Sequence, residues 1–553
     1  MGTMRRTISK SLGRHVAAPL LLLGSAPVHA QEAPYRPNIL VIVADDLGFS
    51  DLGAFGGEID TPNLDALAIS GLRLTGFHTE PACAPTRASL LTGSDSHRVG
   101  LGNMPESMAT NQKGKRSYEG YLRADSATLA ERLGVAGYRT LFSGKWHLGV
   151  APDQDPHVRG FQHSFAMLDC CHNHFGLNIS PDRTKMFAYS RDGQTVTSLP
   201  ASFHSSDYFA DQLIEQMRRS ASGSDRNKPF FGYLAFTAPH APLQAPAETI
   251  AKYRGRYDMG YDVLRERRMR RQREMGLLDP AVQPHKPVDT VPWTSLTTPE
   301  KAVSARKMEV YAAMVDRLDK AVGRVIAELK ANGTYNDTLI FFLSDNGAEA
   351  RDVPIPDMKP VPLEELGGPK SYVNYGAGWA QAGTGPMWRF KTFATEGGIR
   401  TPAFVSGPLV RRQGQIDGAY TNARDIVPTV LDIVHQQATP GQIAGRTVQP
   451  IDGLSWSHFL ETGGLVYPAN TTVGTELFGS RALRQGDWKI TDISDAKWHL
   501  FNIARDPGET HDLSAEEPAR KEAMIKAWND YAREVGVVMP DPPFHPNPPR
   551  DHD

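Results

Sequence analysis

The sequence predicts an α/β fold, in which helices cover both faces of a central sheet, with a small α+β domain at the C-terminus. Asn38 to Ala44 is a nearly unbroken apolar run rich in β-branched residues, and Phe230 to Phe236 and Leu339 to Leu343 have the same character. Such runs indicate strands that are buried on both faces. Segments with helical patterns lie between them, and strands that alternate with helices indicate an α/β architecture.

The helical patterns fall at Thr128 to Ala136, Tyr208 to Arg218 and Ala302 to Ala331. Two stretches depart from the alternation. Tyr253 to Met275 is crowded with Arg, and we predict a helical insertion with a solvated basic face. Val353 to Met387 is rich in Pro and Gly and is too long for a plain connector, so we predict a loop that shapes the substrate site.

The pattern changes again after Gly453. Short strand-like pieces follow, including Ser480 to Leu483 and Trp488 to Thr491, and a helical pattern runs from Glu516 to Val535. These elements predict the small C-terminal α+β domain.

The composition is that of a soluble globular protein. The chain has 553 residues, of which 40% are hydrophobic and 22% are charged, with a formal net charge of −2. This balance gives no reason to expect nucleic acid or an acidic membrane surface as a partner. The net charge does not exclude a small anionic ligand, because binding one needs only a few local cations.

The N-terminus has the pattern of a secretory signal peptide. A basic region that includes Arg5 and Arg6 precedes the apolar stretch Val16 to Pro27, and small residues surround a cleavage point after Ala30. The apolar stretch is shorter than the ~20 residues that a membrane-spanning helix needs. The arginine pair also resembles a twin-arginine export signal. We therefore expect export to the periplasm or the medium, with no stable membrane association.

The cysteines are Cys83, Cys170 and Cys171, too few for a disulfide framework. Cys170 and Cys171 are adjacent, and a bridge between neighbours in the chain is strained. We therefore interpret these two as small packed side chains, which leaves Cys83 as the cysteine with a distinctive context.

Polar residues follow two of the predicted core strands. Asp45 and Asp46 come after the first strand, and Asp345 and Asn346 come after the third. Ligands of open α/β sheets bind beyond the carboxyl ends of the strands, and oxygen ligands suit Ca²⁺ or Mg²⁺. The alternative is that these side chains cap turns and helices.

Cys83 stands at the predicted start of a helix. Pro85 suits the first turn and Gly93 suits the C-terminal cap. Backbone amides and the helix dipole favour anions at this end, and Arg87 lies one turn further along the same face. A lone cysteine at the start of a helix is more often structural than catalytic.

The segment Cys83-Ala84-Pro85-Thr86-Arg87, followed by Leu91-Thr92-Gly93, resembles the maturation motif of the type I sulfatases, in the alkaline phosphatase-like superfamily. Further segments of the family pattern match in order, and the resemblance runs from Pro37 to about Val538. The matching segments are Asn38 to Gly53, Gly144 to Gly149, Ala238 to His240 and Ser344 to Gly347. The local sequence around these segments is most similar to that of bacterial arylsulfatases of the Pseudomonas type. The resemblance implies a large mixed sheet and the hydrolysis of sulfate esters of small molecules.

The resemblance also implies the cofactors. A maturation enzyme would oxidise Cys83 to formylglycine, whose aldehyde hydrate is the nucleophile in this family. One Ca²⁺ would be held by residue 83 and by four oxygen ligands. These ligands are Asp45, Asp46, Asp345 and Asn346.

The same resemblance implies the catalytic roles. Arg87 and Lys145 would bring positive charge to the hydrate and the sulfate, and Asp345 would accept the proton of the attacking hydroxyl. His147 would remove the second proton and so allow sulfate to leave. His240 and Lys391 would face the oxygen of the departing alcohol or phenol.

We therefore predict these boundaries: a signal peptide at 1–30, a catalytic α/β domain at 36–455, a C-terminal α+β domain at 456–540 and a tail at 541–553. An enzyme for phosphate or phosphonate esters on the same scaffold is an alternative. A noncatalytic binding protein is another, if Cys83 is not matured. Tyr375, Trp379 and Trp388 either line the mouth of the site or pack elsewhere. The remaining histidines, including His172, His174 and His204, are interpreted as structural.

Overall fold

The computed structural model describes residues 1–4, 7, 8, 10, 35–185, 187–221, 225–352, 360–436 and 441–541. The chain divides into two units, residues 1–35 and residues 36–553. The cleavage point after Ala30, the arginine pair before it and the tail beyond residue 541 lie outside the described residues. Every helix and strand of the described residues belongs to the second unit.

The strands are short at the sheet edges and longest in its middle. In chain order they are β1 (Asn38–Ala44), β2 (Leu72–Leu74), β3 (Phe77–His78), β4 (Arg139–Lys145), β5 (His163–Met167), β6 (Tyr189–Arg191), β7 (Gln194–Val196), β8 (Phe230–Ala235), β9 (Thr338–Ser344), β10 (Ala403–Ser406), β11 (Ile416–Asp417), β12 (Thr421–Asn422), β13 (Gln442–Ile443), β14 (Arg446–Thr447), β15 (Thr472–Leu477), β16 (Ser480–Gln485), β17 (Trp488–Ile493) and β18 (His499–Asn502).

The helices lie mostly between these strands. They are α1 (Pro62–Ser70), α2 (Cys83–Thr92), α3 (Leu129–Val135), α4 (Ser205–Ser220), α5 (Ala247–Ala251), α6 (Gly260–Glu274), α7 (Thr298–Ala331), α8 (Ala377–Thr384), α9 (Glu396–Ile399), α10 (Ile426–Ile433), α11 (Ser457–Thr462) and α12 (Pro518–Val535).

A mixed ten-stranded sheet forms the centre of the fold, as the sequence predicted. Its order is β11-β2-β10-β9-β1-β8-β4-β5-β6-β7, so the three predicted core strands lie side by side in the middle. β1 pairs in parallel with both β8 and β9, and Ala44 stands opposite Ser344. The carboxyl ends of β1 and β9 are therefore level, which brings the residues after both strands to the same edge of the sheet.

Both faces of the sheet are covered. Leu40 and Ile42 pack into one buried apolar layer together with α4 and α7. Ile39, Val41 and Val43 point to the other side and pack with α2, α3 and α10. Because successive side chains of a strand point to opposite faces, a strand between two helical layers needs apolar residues at every position.

Helix α7 begins four residues earlier than the predicted helix at Ala302. The Thr297 hydroxyl accepts a hydrogen bond from the backbone N–H of Glu300, and the Glu300 carboxylate bonds back to the N–H of Thr297. This capping box, with Pro299 in the first turn, fixes the start of the helix at Thr298.

The predicted Arg-rich insertion is helical, but its basic residues are not all solvated. Arg267 and Arg270 are exposed, whereas Arg265 and Arg268 are buried. Arg268 pairs with Glu58 and Asp51. These two carboxylates replace the water that the guanidinium loses on burial. The prediction of a solvated basic face is therefore wrong for the side of α6 that meets the rest of the fold.

A small C-terminal sheet domain is present. β15 to β18 form an antiparallel sheet, and Met524 and Trp528 of α12 pack against its buried face. The predicted strands beginning at Ser480 and Trp488 are β16 and β17. Leu477, at the end of β15, joins the buried cluster around Cys83, so the C-terminal sheet contacts the segment that carries the sequence motif.

Buried charges join the C-terminal elements to the segment after α2. His97 Nδ1 lies 3.2 Å from Asp95 Oδ1, and His97 Nε2 lies 3.4 Å from Glu476 Oε2 in β15. The hydroxyl of Tyr531, in α12, donates to Asp95 Oδ2 at 2.8 Å. Burial disfavours the protonated ring of His97, but hydrogen bonds to Asp95 and Glu476 outweigh burial and raise its pKa to about 10.

We expect His97→Ala to lower the free energy of unfolding by about 3–5 kcal/mol, because it leaves buried carboxylates without their partner. The pKa of His97 is raised in the folded state, so its contribution should be fully present below pH 6.5 and should be lost as the pH rises through about 10. Urea denaturation across this range measures both effects. The matched control is His511→Ala, which removes an exposed His–Glu pair and should change stability little. Equal midpoints for the two variants at pH 6.5 would contradict the assignment.

Candidate active site

Four oxygen-bearing side chains meet at the edge where β1 and β9 end. Asp45 and Asp46 follow β1, Asp345 and Asn346 follow β9, and all four are buried. Asn346 Nδ2 donates to Asp46 Oδ1 at 2.6 Å, and the backbone N–H of Asp46 donates to Asp345 Oδ1 at 3.3 Å. The level register of the two strands is what brings these residues together.

The loop after β9 is held by a close backbone approach. A Cβ atom at Gly347 would lie 2.0 Å from the carbonyl oxygen of Gly397. Only glycine at position 347 therefore allows the segment that carries Asn346 to pack this tightly against α9.

Cys83 is the first residue of α2, as the sequence predicted, and Gly93 ends that helix with a positive φ of 74°. Cys83 is buried. One turn further along, Arg87 donates from Nε and Nη2 to Asp345 Oδ2 at 3.0 and 2.6 Å. The helix thus links position 83 to the carboxylates at the sheet edge.

Two lysines complete the cationic side of the site. Lys145, at the end of β4, places Nζ 2.8 Å from Asp45 Oδ2. Lys391 places Nζ 2.9 Å from Asp46 Oδ1 and 3.4 Å from a carboxylate oxygen of Glu349. Together with the guanidinium of Arg87, the two lysines place three positive charges beside the three aspartates.

Two histidines complete the set of catalytic groups predicted from the sequence. His147 Nδ1 lies 3.4 Å from Cys83 Sγ, and its Nε2 lies 3.3 Å from Glu106 Oε2. His240 Nε2 lies 3.6 Å from Asp46 Oδ2. One ring therefore faces position 83 and the other faces the second aspartate.

Burial and neighbouring charge shift the titration of these groups. Burial, with the nearby charge of Asp45, raises the pKa of Asp345 to about 6. With the thiol of Cys83 in place, burial opposes the protonated ring of His147, but Glu106 and the Cys83 sulfur together outweigh burial and raise the pKa of His147 to about 9. Burial, reinforced by the charge of Lys391, lowers the pKa of His240 to about 4. The two rings therefore differ in protonation at neutral pH.

The oxygen atoms at the sheet edge fit a hard cation. Asp45 Oδ1 and Asn346 Oδ1 are buried and have no hydrogen-bond partner among the described residues. Ligand atoms of Asp45, Cys83 and Asp345 lie within 4.8 Å of one another. Buried acceptors without donors are costly, and a divalent cation that prefers oxygen would satisfy them.

A cavity of about 840 Å³ opens onto this cluster. Its wall includes Cys83, His147, His240 and Lys391, and apolar side chains such as Phe187. The site residues predicted from the sequence are thus either in this wall or directly behind it.

Several cavity residues were not predicted as functional. Glu106 and Glu349 hold His147 and Lys391, respectively. Glu349 follows Asn346 by three residues, so its place in the same loop was a usable signal. Glu106 reaches the site only through tertiary packing, and its local sequence carries no such signal.

Other sequence interpretations are decided by burial. Tyr375, Trp379 and Trp388 are all buried and do not line the cavity, so the aromatic-mouth interpretation is wrong. The predicted loop at 353–387 nevertheless contributes Tyr372 to Asn374 to the cavity wall, while residues 353–359 lie outside the described part of the chain. The buried His174 supports a site residue, because its Nε2 lies 3.0 Å from the backbone oxygen of His240.

Cys170 and Cys171 are free thiols, as expected. They are only partly buried and lie in the cavity wall, which corrects the interpretation of both as packed side chains. Their side chains reach this surface because they lie in the segment after β5, whose carboxyl end is at the same edge of the sheet.

Comparison with known proteins identifies a matching family, similar relatives and similar solved structures. Residues 37–436 match the family model described as sulfatase. An uncharacterised sulfatase of Schizosaccharomyces pombe is 43% identical over 529 residues, which cover 91% of this chain and 94% of the relative. An arylsulfatase of Klebsiella aerogenes is 38% identical over 452 residues, which cover 80% of this chain and 95% of the relative. Among solved structures, that of Ps i-CgsB has a TM-score of 0.66 and 23% identity, covering 90% of this chain and 93% of that chain.

Proposed function

The chain belongs to the sulfatase family and is a sulfuric ester hydrolase, and from that premise we propose that it hydrolyses aryl sulfate esters to a phenol and inorganic sulfate. The observation that supports this proposal most strongly is the setting of Cys83. Its side chain faces a large cavity beside His147, and three buried cations stand within the same charge cluster. Such a cluster suits an anionic group held next to a nucleophile.

We further propose that Cys83 is converted to formylglycine by a formylglycine-generating enzyme. The segment from Cys83 to Arg87 supports this, because it has the family's maturation pattern. The hydrated aldehyde supplies an oxygen nucleophile, and its second hydroxyl allows sulfate to be released by return to the aldehyde. A sulfate ester formed on a serine hydroxyl would instead need a second nucleophilic attack on its unreactive sulfur.

One Ca²⁺ is proposed at the edge of the sheet. Its ligands would be residue 83 and the four oxygen-bearing side chains Asp45, Asp46, Asp345 and Asn346. When bound, the ion orients the sulfate group and offsets the charge on its oxygens. The two buried oxygens without donors support this assignment.

The residues around position 83 are arranged for charge stabilisation and proton transfer. Arg87 and Lys145 hold fixed positive charge, since nearby carboxylates outweigh burial and raise the pKa of both groups. Asp345 would accept the proton of the attacking hydroxyl. His147, 3.4 Å from Cys83 Sγ, would take the proton from the second hydroxyl as sulfate leaves. This role needs the neutral ring, and maturation would remove the sulfur that helps to raise the pKa of His147 in the unmodified chain.

His240 and Lys391 are proposed to assist the departing phenol. Lys391 remains charged, because Asp46 and Glu349 outweigh burial and raise its pKa. His240 is neutral in the free site, and negative charge developing on the leaving oxygen favours its protonated ring. The lysine therefore supplies constant positive charge, whereas His240 would transfer a proton only after its ring has taken one up from solvent on binding of the anionic ester.

Export to the periplasm or the medium is proposed from the pattern of residues 1–30. Within the described part of the chain, no helix is both long and apolar enough to cross a bilayer. Export would place the chain where small sulfate esters from the surroundings reach it.

The proposed function is tested by turnover of matched aryl sulfate, phosphate and phosphonate esters. We expect the highest kcat/KM for the sulfate, because the chain belongs to the sulfatase family and is 38% identical to an arylsulfatase. A higher kcat/KM for the phosphate or phosphonate would overturn the proposal in favour of the alternative hydrolase. An absence of turnover for all three, with Cys83 unmodified in protein from the native host, would favour the noncatalytic role.

Asp345→Asn should reduce both calcium occupancy and the chemical step, because the same carboxylate is assigned to both. Elemental analysis of the purified protein should give one calcium per chain, and chelation should abolish turnover until calcium is returned. Asp530→Asn, which alters an exposed carboxylate, is the matched control and should retain both properties. Stoichiometric zinc, or full activity after exhaustive chelation, would count decisively against the calcium site.

His240→Ala should slow esters of poor leaving groups far more than esters of activated phenols. A nitrophenolate departs unaided, whereas an unactivated phenol needs a proton, and the loss there should be on the order of 10²–10⁴-fold. A plot of rate against leaving-group pKa should steepen in this variant and stay unchanged in the surface control His435→Ala. A uniform loss across the series would mean that His240 binds sulfate or holds structure. No loss would refute its assignment.

A further inference from the structure

The cavity wall holds a second pair of reactive groups that the proposed mechanism does not use. Cys170 and Cys171 are adjacent in the chain, partly exposed and unbridged, and their Sγ atoms lie 3.0 Å apart. Both line the same cavity as Cys83 and His147. The two sulfurs therefore present themselves side by side to any molecule that enters the substrate cavity.

The two thiols differ in pKa. Its mutual hydrogen bond, together with burial, raises the pKa of Cys170, whereas the same hydrogen bond lowers the pKa of Cys171. A thiolate is the form of cysteine that binds soft ligands and attacks electrophiles. Cys171 is the first sulfur to react, and Cys170 is next to it to close a ring.

The surroundings restrict which ligand fits. Structural zinc needs four ligands, and no third His, Cys or carboxylate joins these sulfurs in a metal-sized cluster within the described residues. A linear two-coordinate ion needs its two sulfurs on opposite sides, which neighbouring residues do not provide. Trivalent arsenic bearing one organic group needs two thiolates on the same side and nothing more.

We propose that Cys170 and Cys171 form a dithiol site for monosubstituted organoarsenicals(III), and that its occupation blocks the substrate cavity. In the reaction with an arsine oxide, two S–H bonds break and two S–As bonds form, and the oxygen leaves as water with both protons. Arsenic remains trivalent, so no oxidant or reductant is required. The effect on turnover rests on the proposed function, whereas the binding itself does not.

The organic substituent would also find a suitable environment. Met104, Val150, Leu168 and Phe187 contribute apolar surface to the same cavity. An aromatic group attached to the arsenic would bury its surface against such side chains. Phenylarsine oxide is therefore the probe of choice.

The experiment uses matured enzyme that has been reduced with a phosphine, which is removed before the arsenical is added. The chain has three cysteines, and maturation would consume the thiol of Cys83, so the adjacent pair would be the only thiols left. One equivalent of phenylarsine oxide should add once per chain, and the adduct should map to tryptic peptide 160–183. Turnover of an aryl sulfate should fall with occupancy and return with 2,3-dimercaptopropanol, but not with an excess of a monothiol.

Cys170→Ser and Cys171→Ser are matched single-thiol controls. Each should bind the arsenical about 10²–10⁴-fold more weakly, because the second bond is then lost. Absence of an adduct on the reduced wild-type chain, or equal affinity in the single variants, would overturn the dithiol site. A stoichiometric adduct that leaves turnover intact would overturn the blocking of the cavity. The adduct mass is read without any turnover, so failure of the proposed function is distinguishable from failure of this site.

Discussion

Three carboxylates, those of Asp45, Asp46 and Asp345, are buried side by side where β1 and β9 end, and the rest of the site is arranged around their charge. Like charges at this depth are unfavourable unless cations and donors offset them. Lys145 and Lys391 each pair with one of these aspartates, and the guanidinium of α2 pairs with the third. The helix that begins at Cys83 is thereby tied to the sheet edge.

The C-terminal half of the chain braces the same region. Lys489, in β17, donates to Glu396 Oε1 at 2.9 Å, and Glu396 begins the short helix that follows the Lys391 segment. Leu477, in β15, packs in the cluster around Cys83. Elements that supply none of the proposed catalytic groups therefore fix two segments that do.

Much of the fold could be predicted because its signals are local. The apolar run Asn38 to Ala44 is β1 to the residue, and the helix at Cys83 begins and ends where Pro85 and Gly93 indicate. The features that sequence missed depend on contacts between distant segments. Glu106 meets His147 only in the folded chain, and Arg268 is buried because distant carboxylates pair with it.

Residue 83, once matured, is proposed to be the nucleophile of this sulfatase. The most direct measurement is the mass of tryptic peptide 74–87 from active enzyme, compared with the turnover of the same preparation. We expect the peptide to carry an aldehyde in place of the CH₂–SH group, and the fraction converted to track specific activity. A fully active preparation whose residue 83 is still an unmodified thiol would contradict this claim.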